Sequence, residues 1–210
     1  NKHNADYWLP VDQYIGGIEH AVLHLLYSRF FIKAMNKLDL INLKEPFESL
    51  QTQGMVCHQT YKNSNNEWIF QKDVIKINDK FFSIDKKDEV SIGRIEKMSK
   101  SKKNVIDPNT IVDTFGSDTA RFFILSDSPP QRDMEWTDEG VEGASRFLNK
   151  VWQLINDEDY KDIPYQKINH NNDNDFNIFL CTYKTIKNVT QAIDDFHFNI
   201  AIANIRTLFN

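Results

Sequence analysis

The chain has 210 residues, of which 40% are hydrophobic and 12% aromatic, and its formal net charge is −5. This composition is typical of a globular protein with one sizeable core or two small domains, and it excludes a disordered chain. No apolar run approaches the roughly 18 residues that a membrane span needs, and no signal peptide opens the chain. The negative charge predicts no bulk attraction to a nucleic acid, so such a partner would have to meet a local basic surface.

The cysteines and the chain ends indicate the compartment and the context. Cys57 and Cys181 lie far apart and outside any metal-ligand spacing, so we expect free thiols in a reducing, cytoplasmic compartment. The chain starts at Asn1 rather than at a methionine, and its last residues lie within a helical pattern. We therefore expect a piece of a longer protein.

The first predicted unit is a strand that leads into a helix. Residues 8–15 are strand-like and are followed by the glycine pair Gly16 and Gly17. Apolar residues at a spacing of about 3.6 predict a helix over residues 18–38. The two glycines let the backbone bend sharply and approach a ligand closely.

Polar residues after the glycine pair form the first candidate site. A carboxylate at Glu19 can accept hydrogen bonds from both hydroxyls of a ribose, and the alternative is a helix start whose acid complements the helix dipole. His20 and His24 would share one helix face at i and i+4. Because the glutamate precedes His20 instead of following it, we expect no metal and favour the lining of a small-molecule pocket, with a hydrogen-bonded core histidine as the alternative.

The middle of the chain changes from helical to β-rich patterns. Residues 57–95 contain short alternating segments, with predicted strands at 68–70, 74–77 and 80–84. Asn78 and Asp79 separate the last two strands at hairpin spacing.

A lysine-rich segment, KMSKSKKN at residues 97–104, is the second candidate site. Its hydroxyls, amides and ammonium groups could form a cradle for a polyphosphate, with an exposed basic loop as the alternative. In nucleotidyl transfer, an ammonium group near the departing pyrophosphate stabilises the transition state. Lys100 is central and Lys97 is the natural second contact, while Ser99 and Ser101 can bond to phosphate oxygens. We call residues 97–103 the lysine loop.

The rest of the chain is predicted to be helical. Residues 109–126 form two pieces, which Pro108 opens and Gly116 separates, with Ser117 or Asp118 as the cap of the second piece. A third helix covers residues 138–154. A polar linker at 156–175 precedes a further helical pattern at 176–209.

Taken together, these motifs resemble leucyl-tRNA synthetases, which are class I aminoacyl-tRNA synthetases. KMSKS at 97–101 matches the signature of the class, and WLPVD followed by YIGGIEHA at 8–21 resembles the ribose-binding segment of the family. QGMV at 53–56 resembles the strand that holds adenine, and residues 135–148 resemble the element after the signature loop. The resemblance covers residues 7–210 and is weak only at 57–95.

The resemblance implies an α/β fold followed by an all-α helical bundle segment. Residues 1–56 would be the second half of a Rossmann-like nucleotide-binding domain, and residues 57–95 a short form of the leucine-specific insertion. Residues 96–135 would hold the KMSKS loop and the end of the catalytic domain. Residues 136–210 would be a helical junction and part of an anticodon-binding bundle.

The resemblance also implies a role for each candidate residue. The enzyme would use ATP with Mg²⁺ to activate leucine and would transfer it to tRNA(Leu), as a monomer with no membrane partner. The catalytic residues would be Lys100 and Lys97. The residues implied to bind ATP are Gly17, Glu19, Gln53, Val56, Ser99 and Ser101. Those implied to bind leucine are Tyr14, His20 and His24, and those implied to contact the tRNA backbone are Arg146 and Lys150, for which a surface salt bridge is the alternative.

The chain also departs from the family pattern. No HIGH-like string, the second signature of class I enzymes, occurs in it, and the resemblance implies that it begins downstream of where the family places its editing domain. We therefore expect no aminoacylation from this chain alone. Two other functions stay open, an RNA-binding remnant and a nucleotidyltransferase of the same superfamily that does not charge tRNA.

Overall fold

A computed structural model describes residues 2–85, 88–157 and 173–210. The chain forms two compact units, Asn1–Met55 with Pro130–Asp133, and Val56–Pro129 with Met134–Asn210. Most of the predicted polar linker at 156–175 lies outside the described residues. No helix in the described ranges is long and apolar enough to cross a membrane.

The first unit is a β-α-β arrangement preceded by a short helix. Its elements in chain order are α1 (Lys2–Trp8), β1 (Val11–Gly17), a 3₁₀ turn (Ile18–Ala21), α2 (His24–Lys37) and β2 (Phe47–Gln53). Strands β1 and β2 pair in parallel, from Val11 opposite Phe47 to Gly17 opposite Gln53. The prediction of a strand that leads into a helix is confirmed, and a second parallel strand extends it.

Two details of the first unit differ from the prediction. Trp8 ends helix α1 instead of starting a strand, because α1 binds the loop after α2: Asp6 accepts hydrogen bonds from the backbone and side-chain nitrogens of Asn42, at 2.9 and 2.7 Å. The predicted helix from Ile18 is interrupted, since Leu23 has φ −114° and ψ −97° and α2 begins only at His24.

An antiparallel sheet dominates the N-terminal half of the second unit. Its strands are β3 (Val56–Lys62), β4 (Trp68–Ile69), β5 (Val74–Ile77), β6 (Lys80–Ser83), β7 (Glu89–Lys97) and β8 (Met134–Glu135). The order is β4-β3-β7-β6-β5, and β8 pairs with β3 in parallel. Asn78 and Asp79 join β5 to β6 with φ of 48° and 64°, as a two-residue hairpin turn with positive φ at both positions requires. The predicted β-rich segment and its hairpin are confirmed.

In the described part of the second unit, the sheet is accompanied by the helices α3 (Pro108–Phe115), α4 (Ser117–Asp127), α5 (Asp138–Asn156), α6 (Asp173–Asp194) and α7 (Phe198–Phe209). Pro108 is the first residue of α3, and Asp107 caps it by accepting a hydrogen bond from Asn109 N at 2.9 Å. Gly116 separates α3 from α4, with φ 85°. The predicted cap at Ser117 or Asp118 is wrong, since Gly116 is the N-cap and makes no side-chain hydrogen bond.

The hydrophobic core of the second unit contacts the start of the lysine loop through Met98. Its buried members are Ile111, Phe123, Met134, Trp136, Val141 and Ala144. Met98, the first residue after β7, packs against this core, and its backbone N donates to the carbonyl of Val56 at 3.0 Å. The loop therefore leaves the sheet from a fixed point.

Candidate functional site

The lysine loop is short and tightly turned. It leaves β7 at Lys97, forms a 3₁₀ turn over Lys100–Lys102, and ends at Lys103 in the left-handed region with φ 55°. Backbone hydrogen bonds close the turn, from Lys102 N to Ser99 O at 3.1 Å and from Lys103 N to Lys100 O at 3.3 Å. The backbone path of the loop is therefore defined.

The lysines of the loop have different surroundings. The Lys102 ammonium pairs with Glu96 of β7, and the Lys103 ammonium lies over the ring of Phe70, 5.5 Å from its centroid. The exposed Lys100 makes no hydrogen bond or ion pair through its ammonium group with the described residues. Lys100 is therefore available to a ligand, whereas Lys102 is turned back onto the strand.

A groove of about 770 Å³ runs beside Lys100. Its charged lining consists of two lysines, Lys72 and Lys100, and two aspartates, Asp107 and Asp138. Its apolar lining is provided by Phe70, Val74, Val105, Ile106, Pro108 and Ile111. The carboxylate of Asp107 already accepts the capping hydrogen bond of α3. The positively charged groups of the groove, Lys72 and Lys100, are those that could attract an anionic ligand.

The two serines of the loop are near each other. Their hydroxyl oxygens are 2.7 Å apart, so one donates to the other. The backbone N of Ser99 donates to Asn104 Oδ1 at 2.8 Å, and that amide is therefore engaged within the protein. The Ser101 and Ser99 hydroxyls remain the polar groups at the loop surface that could contact phosphate oxygens.

Asn104 holds the base of the loop, and the sequence analysis did not single it out. Its side chain is 2% exposed, and its Nδ2 donates to the carbonyls of His58 at 3.1 Å and Glu96 at 3.0 Å. The sequence offers one signal for this role, the position of Asn104 at the end of the lysine- and serine-rich segment. The residues that its side chain binds cannot be identified from the sequence.

The glycine pair lies at the end of β1. A Cβ atom added to Gly17 would lie 2.3 Å from Glu19 Oε2 and 2.8 Å from its Cδ, so the Glu19 carboxylate occupies the space that a side chain at position 17 would need. The structure therefore brings Gly17 and Glu19 together as predicted, in a 3₁₀ turn rather than at the start of a long helix.

Tyr14 and His24 form an aromatic cluster with Phe47. The Tyr14 and His24 rings stack at 5.4 Å, and the Tyr14 hydroxyl is 3.2 Å from His24 Nδ1. The Phe47 ring lies 4.6 Å from that of Tyr14. His20 does not share a helix face with His24, because it lies in the 3₁₀ turn before α2. Its Nδ1 is buried and finds no hydrogen-bond partner in the described part of the chain.

Gln53 and Val56 lie on either side of a close backbone contact. Gln53 ends β2 and Val56 begins β3. Between them, Gly54 N donates to the carbonyl of Pro130 at 2.8 Å, and a Cβ on Gly54 would be 2.2 Å from the backbone of Arg132. Only glycine fits at that position without a backbone shift.

Arg146 and Lys150 are both exposed and lie one turn apart on α5. Arg146 Nη1 is 3.4 Å from Glu142 Oε2, which is the surface ion pair that the alternative interpretation predicted. An exposed pair of this kind contributes little stability, about 0.3–0.5 kcal/mol. Both side chains therefore remain accessible to a polyanion.

Comparison with known proteins agrees with these motifs. Residues 90–137 match the family described as tRNA synthetases class I (I, L, M and V). The chain is 49% identical over 210 residues to the leucine–tRNA ligase of Rickettsia bellii (strain RML369-C), and 48% identical over 209 residues to that of Paramagnetospirillum magneticum. The chain is homologous to the leucine–tRNA ligases. The class I resemblance is thereby confirmed.

The match extends to a solved structure of the same family. The ternary complex of Agrobacterium radiobacter K84 agnB2 LeuRS with tRNA and LeuAMS has a TM-score of 0.70 and 30% identity, covering 99% of this chain and 23% of that chain. The two ligases named above are covered to 24%. The chain thus spans about a quarter of the length of the ligases it matches, and its mixed sheet-and-helix fold is confirmed.

Burial perturbs two titratable groups on β3 of this ligase homologue. Desolvation lowers the pKa of His58, although a hydrogen bond with the Asn104 backbone and the charges of Asp138 and Glu135 act in the opposite direction. Burial likewise raises the pKa of Tyr61. His58 is 4% exposed, and its backbone carbonyl accepts a hydrogen bond from Asn104 Nδ2.

Within the described ranges, no group of three or more His, Cys, Asp or Glu side chains is arranged to hold a metal ion. Neither Cys57 nor Cys181 forms a disulfide bond with a described residue.

Proposed function

We propose that this chain is a functional part of a leucine–tRNA ligase, which activates leucine with ATP and transfers it to tRNA(Leu). The observation that carries this proposal is the 48–49% identity to such ligases over essentially the whole chain. In the first step a carboxylate oxygen of leucine attacks the α-phosphorus of ATP, the bond to the β-phosphate oxygen breaks, and pyrophosphate leaves. In the second step a hydroxyl of tRNA attacks the leucyl carbonyl, and AMP leaves.

The lysine loop would bind the triphosphate of ATP. Lys100 would stabilise the negative charge that builds on the departing pyrophosphate, with Lys97 as the second cation and the hydroxyls of Ser99 and Ser101 on phosphate oxygens. The exposed ammonium of Lys100 supports this role, since no described acid neutralises it. Mg²⁺ would arrive with ATP as its counter-ion.

The first unit would bind adenosine and leucine. Gly17 and Glu19 would hold the ribose, because the glycine leaves room for the carboxylate that lies over it. Gln53 and the backbone at Val56 would contact adenine. Tyr14, His20 and His24 would line the leucine pocket, and the aromatic stacking of Tyr14 with His24 supplies an apolar wall for it.

The remaining assignments concern organisation and RNA. We infer that residues 1–56 and 96–135 belong to a Rossmann-like nucleotide-binding domain, and that residues 57–95 are an insertion in it. Residues 136–210 would form the junction with a tRNA-binding helical bundle, and Arg146 and Lys150 would contact the tRNA backbone.

The test is a hybrid ligase, in which this chain replaces the matching quarter of the Rickettsia bellii enzyme. The hybrid should catalyse leucine-dependent exchange of pyrophosphate into ATP. Lys100→Ala in the hybrid should lower kcat by about 10²–10³, the loss typical of removing one transition-state charge contact. Lys187→Ala, an exposed lysine of α6, is the matched control and should leave kcat unchanged.

Other outcomes of the same assay would identify the competing functions. A folded hybrid without exchange activity contradicts the proposal and leaves an RNA-binding remnant, whose tRNA affinity should fall steeply with salt. Exchange that needs no leucine indicates a different nucleotidyltransferase. The 210-residue chain by itself should show no exchange, and activity there would refute that expectation.

A further inference from the structure

We propose that Asn104 is a positioning residue, whose buried amide group holds the lysine loop so that Lys100 keeps one position above the groove. The kinetic consequence rests on the proposed function. The structural part rests only on the hydrogen bonds of Asn104.

Asn104 is buried where its neighbours are exposed. Lys103 and Val105 on either side are exposed, whereas the Asn104 side chain is 2% exposed. Burying a side-chain amide costs free energy unless its donors and acceptor find partners. Its burial at the end of an exposed loop therefore requires a compensating set of hydrogen bonds.

The donor side of the amide binds two strands at once. Nδ2 donates to His58 O of β3 at 3.1 Å and to Glu96 O of β7 at 3.0 Å, with Lys97 O at 3.4 Å. Strands β3 and β7 are paired neighbours, with His58 opposite Glu96. The position of the Asn104 side chain is therefore fixed by the sheet rather than by another loop.

The acceptor side connects that sheet to the residue before Lys100. Asn104 Oδ1 accepts from Ser99 N at 2.8 Å. Two further contacts between the loop and its surroundings, Lys102 with Glu96 and Lys103 with Phe70, are made by the ends of long flexible side chains. Asn104 is thus a short, rigid link from the sheet to the backbone beside Lys100.

The first test is Asn104→Ala in the hybrid ligase. A shift of about 1 Å at a reacting group can cost about 10²-fold in rate, so kcat for pyrophosphate exchange should fall 10- to 100-fold. The KM for ATP should change less than about threefold, because the loss is confined to the transition state. Asn149→Ala on α5, which removes an exposed amide, is the matched control. A wild-type kcat for Asn104→Ala would overturn the proposal.

The second test uses pH and covers the case in which Asn104→Ala does not fold. Asn104→Asp keeps the acceptor for Ser99 N but places a carboxylate against the carbonyls of His58 and Glu96. A buried carboxyl among carbonyl oxygens retains its proton to higher pH, and only the protonated form can donate to one of them. The kcat of this variant relative to wild type should therefore rise at least threefold as the pH is lowered from 8 to 6, and a flat ratio would overturn the proposal.

The third test does not depend on activity. In the 210-residue chain, hydrogen exchange of the Ser99 amide should accelerate at least tenfold in Asn104→Ala, which removes the acceptor of that amide, while the amides of α5 keep their wild-type rates. Unchanged protection of Ser99 would refute the anchoring role. An inactive wild-type hybrid combined with faster Ser99 exchange would contradict the proposed function but support the anchor.

Discussion

The two compact units bury their hydrophobic residues to very different extents. In the described part of the chain, the buried hydrophobic residues of the first unit are Ile32 and Ile41, and the other nine belong to the second unit. Large apolar side chains of α2 are instead exposed: Leu26, Tyr27, Phe30 and Phe31. The ribose-binding candidates therefore lie on a unit with few buried apolar side chains, and the lysine loop lies on a unit with its own core.

The bonds that hold the first unit together are mainly polar. Backbone hydrogen bonds pair β1 with β2, and side-chain links join Lys2 to Asp39 and Asp6 to Asn42 at the surface. Exposed links of this kind contribute little stability because water and salt screen them, whereas a fully buried aliphatic side chain contributes about 1.5–3 kcal/mol. We expect the first unit to open at lower free energy than the second.

The largest expected effect is a charge placed in the core of the second unit. Val141 is 0% exposed, so Val141→Asp buries a carboxyl without a partner and should destabilise that unit by more than about 3 kcal/mol. Leu26→Asp on α2, where Leu26 is 60% exposed, should change the free energy of unfolding by less than about 0.5 kcal/mol. Urea unfolding followed by circular dichroism measures both, and equal losses would contradict the contrast between the units.

Adding a methyl group at two glycines tests a close contact in the first unit against an open turn in the second. Gly54→Ala must displace the backbone of Arg132, 2.2 Å away, and should cost about 1–3 kcal/mol. Gly116→Ala meets nothing within 4 Å but keeps φ 85° and ψ 154°. Because that conformation is essentially restricted to glycine, the change should cost about 1–3 kcal/mol from backbone strain alone. Thermal unfolding of the two variants compares these costs. An unchanged midpoint for Gly54→Ala would show that the backbone of residues 130–133 shifts at little cost in free energy.

Acid should weaken the second unit through His58. Burial lowers the folded-state pKa of His58 below its unfolded value near 6.5. The free energy of unfolding therefore has its full value, as far as His58 is concerned, above about pH 6.5. It decreases as the pH falls from there towards the folded-state pKa, since the unfolded chain binds the proton more readily. Urea midpoints between pH 5 and 8 should therefore rise with pH, and His58→Gln should flatten that rise. An unchanged slope in the variant would assign the pH dependence to other groups.

The smallest expected effect concerns Lys103. This residue adopts φ 55°, which costs a lysine about 1–2 kcal/mol relative to glycine. Lys103→Gly loses the contact with Phe70 but relieves this strain. The relief is about 1 kcal/mol and the lost cation–π contact is worth about 0.5 kcal/mol, so the free energy of unfolding should rise by about 0.5 kcal/mol. Lys103→Val, which tolerates positive φ poorly, is the opposing control and should destabilise the second unit. Denaturant midpoints measure both.

The features that could be predicted from the sequence are the local ones. Asn78-Asp79 specifies a hairpin by its own backbone preferences, and Pro108 with Gly116 defines the limits of α3, whatever surrounds them. The break before α2 could not be predicted, because apolar spacing continues through Val22 and Leu23. The helix α1 was likewise missed, since it depends on contacts with a loop more than thirty residues away.

The candidate site divides in the same way. The lysine loop and the glycine pair are contiguous motifs, so Lys100, Gly17 and Glu19 could be identified from residue types and spacing. Asn104 could not, because its role comes from carbonyls 46 and 8 positions earlier in the chain. The assignment of these residues to ATP stays a prediction.

Two fixed points delimit the lysine loop, and they determine how it can move. Met98 packs against the core and Asn104 is buried beside the sheet. The segment Ser99–Lys103 between them is therefore fixed at both ends. A segment fixed at both ends can move in its middle but cannot shift as a whole, so the displacement of its central residues is small. Lengthening it by one residue would change its span and shift the apex, so an inserted alanine should be far more harmful there than in an ordinary surface turn of equal exposure.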